Sequence, residues 1–232
     1  MPKIGLLKGE HQRERVLTET EADRYLAACP QSWHDGATIM LGTGMRPAEV
    51  RRLRREHVLL NGHSRLIRIA EGKSKAARRI LPIVPAVYRA LKARWETQGQ
   101  PSEGWLFPSG SRSGHLEEST HNKYHDEALR VLAKAHKERP EENPEVKPFE
   151  PYCLRHTALT QLPEAGCNAF KLAYIAGHSD IRITQRYVHP DTDAIEAAFL
   201  KLAASQKVVT DGGYSQNVEN GTEKIQLASN AI

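Results

Sequence analysis

The sequence predicts a mainly helical chain with a small antiparallel β-sheet, an α+β class. Three observations predict it. Apolar residues recur at helical spacing through most of the chain, as in Ala22, Tyr25 and Leu26 or Val87, Leu91 and Trp95. Two short runs rich in Ile, Leu and Val, Ser64 to Ala70 and Arg78 to Val84, flank a charged turn that contains glycine and so read as a hairpin. Capping residues, prolines and glycines fall where helices should start and stop. A length of 232 residues suffices for one substantial core, or for one domain with tails.

Residues 1–17 are mixed and charged with no sustained periodicity, and are expected to be a linker. Thr18 reads as an N-cap with Glu21 three residues on, the capping-box spacing, so the folded domain is expected from residue 18. A second helix is expected from about His34 to Leu41, ended by Gly42-Thr43-Gly44. A third starts directly after Arg46, because Pro47 suits a first helical turn. Arg46 then sits at a helix N-terminus, where free amides and the helix dipole favour an anion. Glu49 reads as a partner that orients Arg46 or a neighbour. The run Arg51-Arg52-Leu53-Arg54-Arg55 continues this helix as a charged face, which makes Arg51, Arg52, Arg54 and Arg55 candidate contacts to a nucleic-acid backbone.

The hairpin tip carries Lys73 and Lys75, and Lys75 is a further candidate contact to a nucleic-acid backbone. Pro85 to Thr97 and Ser119 to His136 return to helical spacing, and the charged segment Lys137 to Lys147, with two prolines, is expected as a surface loop. A helix should run from Arg155, with Pro163 ending or kinking it. Asp191 to Ala204 is amphipathic through Ile195, Ala198, Phe199 and Leu202, so the domain is expected to span residues 18–204. Residues 205–232, rich in Gly, Asn, Gln and Ser, are expected to be a disordered tail.

The net charge of +5 favours a polyanionic partner without identifying it. Cys29, Cys153 and Cys167 show no paired or metal-like spacing, so neither a disulfide framework nor a zinc site is expected, and a reducing interior fits best. No run approaches a membrane span and the N-terminus has no apolar signal region, which points to a cytoplasmic protein.

The chemistry concentrates between Tyr152 and Tyr187. Tyr152-Cys153-Leu154-Arg155-His156 and Gly177-His178-Ser179 are separated by an apolar stretch, and Tyr187 follows His178 by nine residues. Breaking a phosphodiester builds negative charge on the equatorial phosphoryl oxygens, and a protein lowers that barrier by placing donors there. Arg155 has the planar, permanently charged fork for it. His178, with a pKa ordinarily near neutrality, can donate one more hydrogen bond or accept the proton Tyr187 loses. Tyr187 is the candidate nucleophile, and its phenol needs a cationic pocket or a neighbouring base to attack at neutral pH.

Leu154-Arg155-His156-Thr157, Ala176-Gly177-His178-Ser179 and Thr184-Gln185-Arg186-Tyr187 resemble the catalytic domain of the tyrosine recombinase, or phage integrase, family, whose pattern is His-x-x-Arg, then Gly-His, then a nucleophilic Tyr. Gly44-Met45-Arg46-Pro47-Ala48-Glu49-Val50 resembles the motif that carries the family's first catalytic arginine. One position departs: Tyr152 stands where the family usually has the first His, and a phenol donates to phosphate but is a poor base at neutral pH. Reduced or altered activity is therefore expected.

The resemblance implies the family's catalytic-domain fold and a site-specific DNA recombinase or integrase of a mobile element. Tyr187 would cleave double-stranded DNA to a 3′-phosphotyrosyl link, with Arg46, Arg155, His178 and Tyr152 stabilising the charge. A hairpin lysine, Lys73 or else Lys75, would protonate the leaving 5′ oxygen. Because bond energy stays in the covalent link, no metal or other cofactor is expected. The resemblance further implies a tetrameric assembly on DNA at the nucleoid, in which the 191–204 helix docks on a neighbouring protomer or on its own domain. Residues 1–17 are too few for the family's core-DNA-binding domain, and weaker, more salt-sensitive DNA binding is expected without it. Two other readings stay open, a catalytically weak DNA-binding remnant and a strand-relaxing enzyme like the type IB topoisomerases.

Overall fold

A computed structural model describes residues 15–61, 65–72, 75–188 and residue 200, with the backbone alone for Lys75. The chain divides into Met1–His189 and Pro190–Ile232, and all but one of the described residues belong to the first unit. The expected helix at 191–204 and the tail at 205–232 lie outside the described residues, apart from Leu200.

Helix α1 (Glu19–Ala28) opens on the expected capping box, with both the Thr18 and the Glu21 side chains bonded to backbone. The body begins earlier than residue 18. Leu17 is 1% exposed and its amide donates to Thr157 Oγ1 at 3.0 Å, while the Arg15 carbonyl accepts from Cys153 Sγ, so residues 15–17 are packed chain rather than linker. Helix α2 (Gln31–Thr43) starts three residues before the expected His34, because Trp33 is fully buried and anchors its first turn. Gly44 ends it at φ 66°, in the left-handed region.

Helix α3 (Pro47–Arg51) carries Pro47 in its first turn, as expected, but has only five residues. The arginine run does not continue it. Leu53 is buried and its carbonyl accepts from the Leu106 amide, so the chain leaves the helix to pair with the segment around Trp105.

Three antiparallel strands follow, β1 (Val58–Leu59), β2 (Leu66–Ile69) and β3 (Arg79–Pro82), in the order β1-β2-β3. The expected hairpin is β2-β3; β1 was not foreseen. Register pairs Ile67 with Leu81 and Ile69 with Arg79, and these four face inward, while Arg68 and Ile80 face solvent. Helices α4 (Pro85–Thr97) and α5 (Glu118–Glu138) match expectation to within two residues. Helix α6 (Tyr152–Glu164) runs through Pro163. Pro163 sits in the last turn, where its missing amide withdraws a single helical bond, so the helix ends one residue later. Helices α7 (Ala169–Ala176) and α8 (Ile181–Gln185) are short and capped by Asn168 and Asp180.

Helix α2 is the central element and packs against α4 and α6, while α1 packs on α5. The main core holds Tyr25, Trp33, Met40, Leu91, Phe107 and Leu154. A smaller apolar cluster of Leu159, Leu172, Ala176 and Tyr187 joins α6 to α7 and to the residues just after α8. Among the described residues no helix is long and apolar enough to cross a membrane.

Candidate active site

The site is built on the C-terminal end of α7. A helix leaves its last carbonyls without backbone partners and carries partial negative charge there, so cations settle on it. Three arginines do so on three successive residues. Arg79 Nε donates to the Ile175 carbonyl at 2.7 Å, Arg155 Nη2 to Ala176 at 2.7 Å and Arg46 Nη2 to Gly177 at 3.2 Å. Gly177 adopts φ 65°, and a Cβ there would lie 2.9 Å from Arg79 Nη1, so both the turn and the close approach require glycine.

Glu49 holds two of these guanidiniums. It accepts from Arg46 Nη1 at 3.0 Å and from the Arg46 amide at 2.8 Å, and it takes Arg79 bidentately at 2.9 Å on each oxygen. Glu49 is thus the orienting partner that the sequence suggested. Burial pushes its carboxyl up, but Arg79 and Arg46 outweigh burial and hold it below the usual carboxylate range.

Arg155 is fully buried and has no carboxylate partner among the described residues. Nη1 donates to the Gly44 carbonyl at 2.5 Å, so one side chain ties the end of α2 to the end of α7. Burial, helped by the charges of Arg46 and Arg79, lowers its pKa to about 10, which leaves it protonated at neutral pH. Arg155 Nη2 also meets His178 Nε2 at 3.3 Å. A guanidinium only donates, so His178 Nε2 accepts; Nδ1 then carries the proton and donates to Thr184 Oγ1 at 3.0 Å. Burial and four nearby arginines, Arg155, Arg46, Arg186 and Arg79, push the His178 pKa down to about 4 and keep the ring neutral.

Tyr187 is 7% exposed in the small cluster under α6 and α7. Its ring lies near-parallel to His178, at 18° and 6.4 Å between centroids, and its hydroxyl is 2.7 Å from His156 Nδ1. Tyr152 lies one helical turn before His156 on α6, with its ring edge to that imidazole at 4.9 Å and its face 5.7 Å from the Arg155 guanidinium carbon.

The fold therefore brings Arg46, Tyr152, Arg155, His178 and Tyr187 into one contiguous cluster. Lys73 and the Lys75 side chain lie outside the described residues; the Lys75 backbone is in a short 3₁₀ turn, Lys75–Ala77, between β2 and β3. Beside Arg46 opens a cleft of about 660 Å³, lined by Arg52, Arg54, His57, Arg68 and Trp105 among others. The backbone-contact candidates separate here. Arg52 and Arg54 line the cleft, with Arg54 stacked 4.8 Å over Trp105. Arg51 is 5% exposed and pairs with Glu118 at 3.0 Å, because α3 turns it into the body, which corrects its reading as a surface contact. Arg55 lies 4.5 Å over Trp95, away from the cleft. Sequence reasoning missed Arg79 and the contact of His156. The signal for Arg79 was an arginine at an inward strand position, visible only once parity was known.

The chain matches the phage integrase family over residues 15–193, which spans this cluster, and it belongs to that family. Among curated relatives, it is 32% identical over 153 residues to tyrosine recombinase XerD of Rhizobium meliloti, covering 65% of this chain and 45% of that protein. It is 27% identical over 225 residues to the transposase of transposon Tn916 of Enterococcus faecalis, covering 83% and 50%. The chain thus spans about half the length of these relatives. Among solved structures, the Tn1549 transposon integrase in complex with circular intermediate DNA superposes with a TM-score of 0.66 at 22% identity, over 84% of this chain and 68% of that one. The catalytic domain of bacteriophage HP1 integrase gives 0.51 at 21%, over 80% and 93%. At these identities the structural likeness bears on the fold, which is the expected catalytic-domain fold.

Proposed function

We propose that this chain is the catalytic part of a site-specific recombinase that cleaves and rejoins double-stranded DNA. The Tyr187 phenolic oxygen bonds to phosphorus, the bond to the 5′ oxygen breaks, and the leaving oxygen takes a proton from Lys73 or Lys75 on the β2-β3 hairpin. Arg46, Arg155 and His178 stabilise the phosphoryl charge, and Tyr152 adds a hydrogen bond. No metal or cofactor takes part in these steps. One observation carries the reading: three guanidiniums converge on one helix end and, among the described residues, one carboxylate, Glu49, is bonded to two of them. That surplus of positive charge lies beside a phenol and is suited to a phosphate.

Arg52, Arg54 and the cleft would hold the DNA backbone near Arg46. Assembly is as a tetramer on DNA, at the nucleoid. Tyr152 in place of an imidazole lowers the rate. The family match favours recombination over the strand-relaxing and non-catalytic alternatives. The test is a suicide DNA substrate, nicked so that cleavage traps the protein. Intact protein should form a covalent adduct and Tyr187→Phe none; equal adduct from both would refute the assignment of Tyr187.

A further inference from the structure

We propose that His156 is the general base that takes the proton from Tyr187, a catalytic role that rests on the recombinase reading above. A phenol that is 7% exposed cannot readily lose its proton to bulk water, so a protein group must take it. Among the described residues, three imidazole or phenol groups are near enough to consider. Tyr152 is a phenol itself and has no basic lone pair at neutral pH. His178 has both ring nitrogens engaged, Nδ1 donating to Thr184 and Nε2 accepting from Arg155, and its plane runs nearly parallel to the Tyr187 ring. His156 Nδ1 lies 2.7 Å from the Tyr187 oxygen, within the reach a base needs.

The position has a simple origin. His156 follows Tyr152 by one turn of α6, so both point to the same side of the helix, and the imidazole that is missing at 152 is supplied one turn along. Among the described residues, Tyr152 stands edge-on to His156 and His178 lies near-parallel to Tyr187, while Arg155 and Arg186 are their neighbours in sequence.

The step balances. With its proton on Nε2, His156 accepts the phenolic proton at Nδ1 and becomes imidazolium while the phenolate oxygen bonds to phosphorus and the 5′ oxygen leaves with a proton from the hairpin lysine. On rejoining, the 5′ hydroxyl gives its proton back to the hairpin lysine and attacks, the phosphotyrosyl bond breaks and the imidazolium returns the other proton to Tyr187.

Single-turnover adduct formation on the suicide substrate, followed against pH, tests this with four proteins. They are the intact chain, Tyr187→Phe, His156→Gln, and His156→Gln carrying a fluorinated, more acidic tyrosine at 187. The expected result is a fall of about 10²–10⁴-fold for His156→Gln at neutral pH, a rate that then rises with pH, and recovery of about tenfold or more with the fluorinated tyrosine. An unchanged rate and pH profile in His156→Gln would overturn the proposal. So would a lowered rate that the fluorinated tyrosine does not recover, since that marks a structural role. Adduct retained by Tyr187→Phe would instead remove the recombinase reading itself. Should His156→Gln not fold, the ¹⁵N spectrum of intact protein decides: an unprotonated Nδ1 at His156 is expected, and a protonated one would overturn the assignment.

Discussion

Two buried polar clusters in this molecule invite comparison, one between α1 and α5 and one at the end of α7. In the first, His125 Nε2 donates to the Phe149 carbonyl at 2.6 Å, which leaves Nδ1 to accept from the Tyr25 hydroxyl at 2.8 Å. Burial lowers the His125 pKa and keeps the ring neutral, and Tyr25 and Phe149 pack edge to face beside it. Every group in that chain is paired and none is charged. In the second, Arg46 and Arg79 share Glu49, while Arg155 has no carboxylate partner among the described residues and is met by carbonyls and an imidazole. A paired neutral network has nothing further to bind and contributes to stability. A cluster with surplus charge is stabilised by an anion from outside.

That contrast can be tested from its strongest consequence downward. Glu49→Ala removes the only carboxylate that contacts the cluster among the described residues, leaving Arg79, whose side chain is fully buried, without its charge partner. Breaking a buried pair this way should cost about 3–5 kcal/mol, read as a lowered denaturation midpoint at unchanged m-value. Arg155→Met should do the reverse. Adduct formation should fall by about 10²–10³-fold, while the melting temperature moves little, because losing an unpaired buried guanidinium offsets the two orphaned carbonyls. A large loss of stability with activity intact would reverse the two roles. His125→Leu should cost about 1–3 kcal/mol through the unpaired Tyr25 hydroxyl and Phe149 carbonyl, with the rate per folded molecule unchanged.

The smallest effect concerns pH. His178 has a folded pKa of about 4 against 6.5 when unperturbed, so below pH 6.5 the unfolded chain binds a proton that the folded chain refuses. Its contribution to stability is present above pH 6.5 and is lost progressively as pH falls to about 4. Inorganic phosphate seated among the arginines should raise the His178 midpoint toward the ordinary imidazole range and shrink that loss. An NMR titration with and without phosphate reads both. A midpoint indifferent to phosphate would separate His178 from the anion site.

Local signals were legible wherever the physics is local. The capping box at Thr18 and Glu21, Pro47 at the start of α3 and the limits of α4 follow from a few neighbouring residues. The motif residues Arg46, Arg155, His178 and Tyr187 were legible for the chemistry of their side chains. Strand parity was not. In Arg79-Ile80-Leu81-Pro82 the apolar pattern alone leaves open whether Ile80 or Leu81 faces inward, and the structure puts Leu81 and Arg79 inside with Ile80 47% exposed. The arginine run misled for a similar reason, since the chain leaves helix α3 after Arg51 to pair near Trp105.

The sequence by itself determined the helices with clear caps, the one hairpin and the residue types proposed to act on a phosphodiester, because these depend on side-chain chemistry and short spacing. Only the tertiary structure decided that three arginines take three consecutive carbonyls at the end of α7. It alone set Glu49 between Arg46 and Arg79, buried Arg155 behind them and turned His156 toward Tyr187. The physical reason is that these contacts join residues up to 131 positions apart through helix ends, and no local propensity encodes where one helix end meets another.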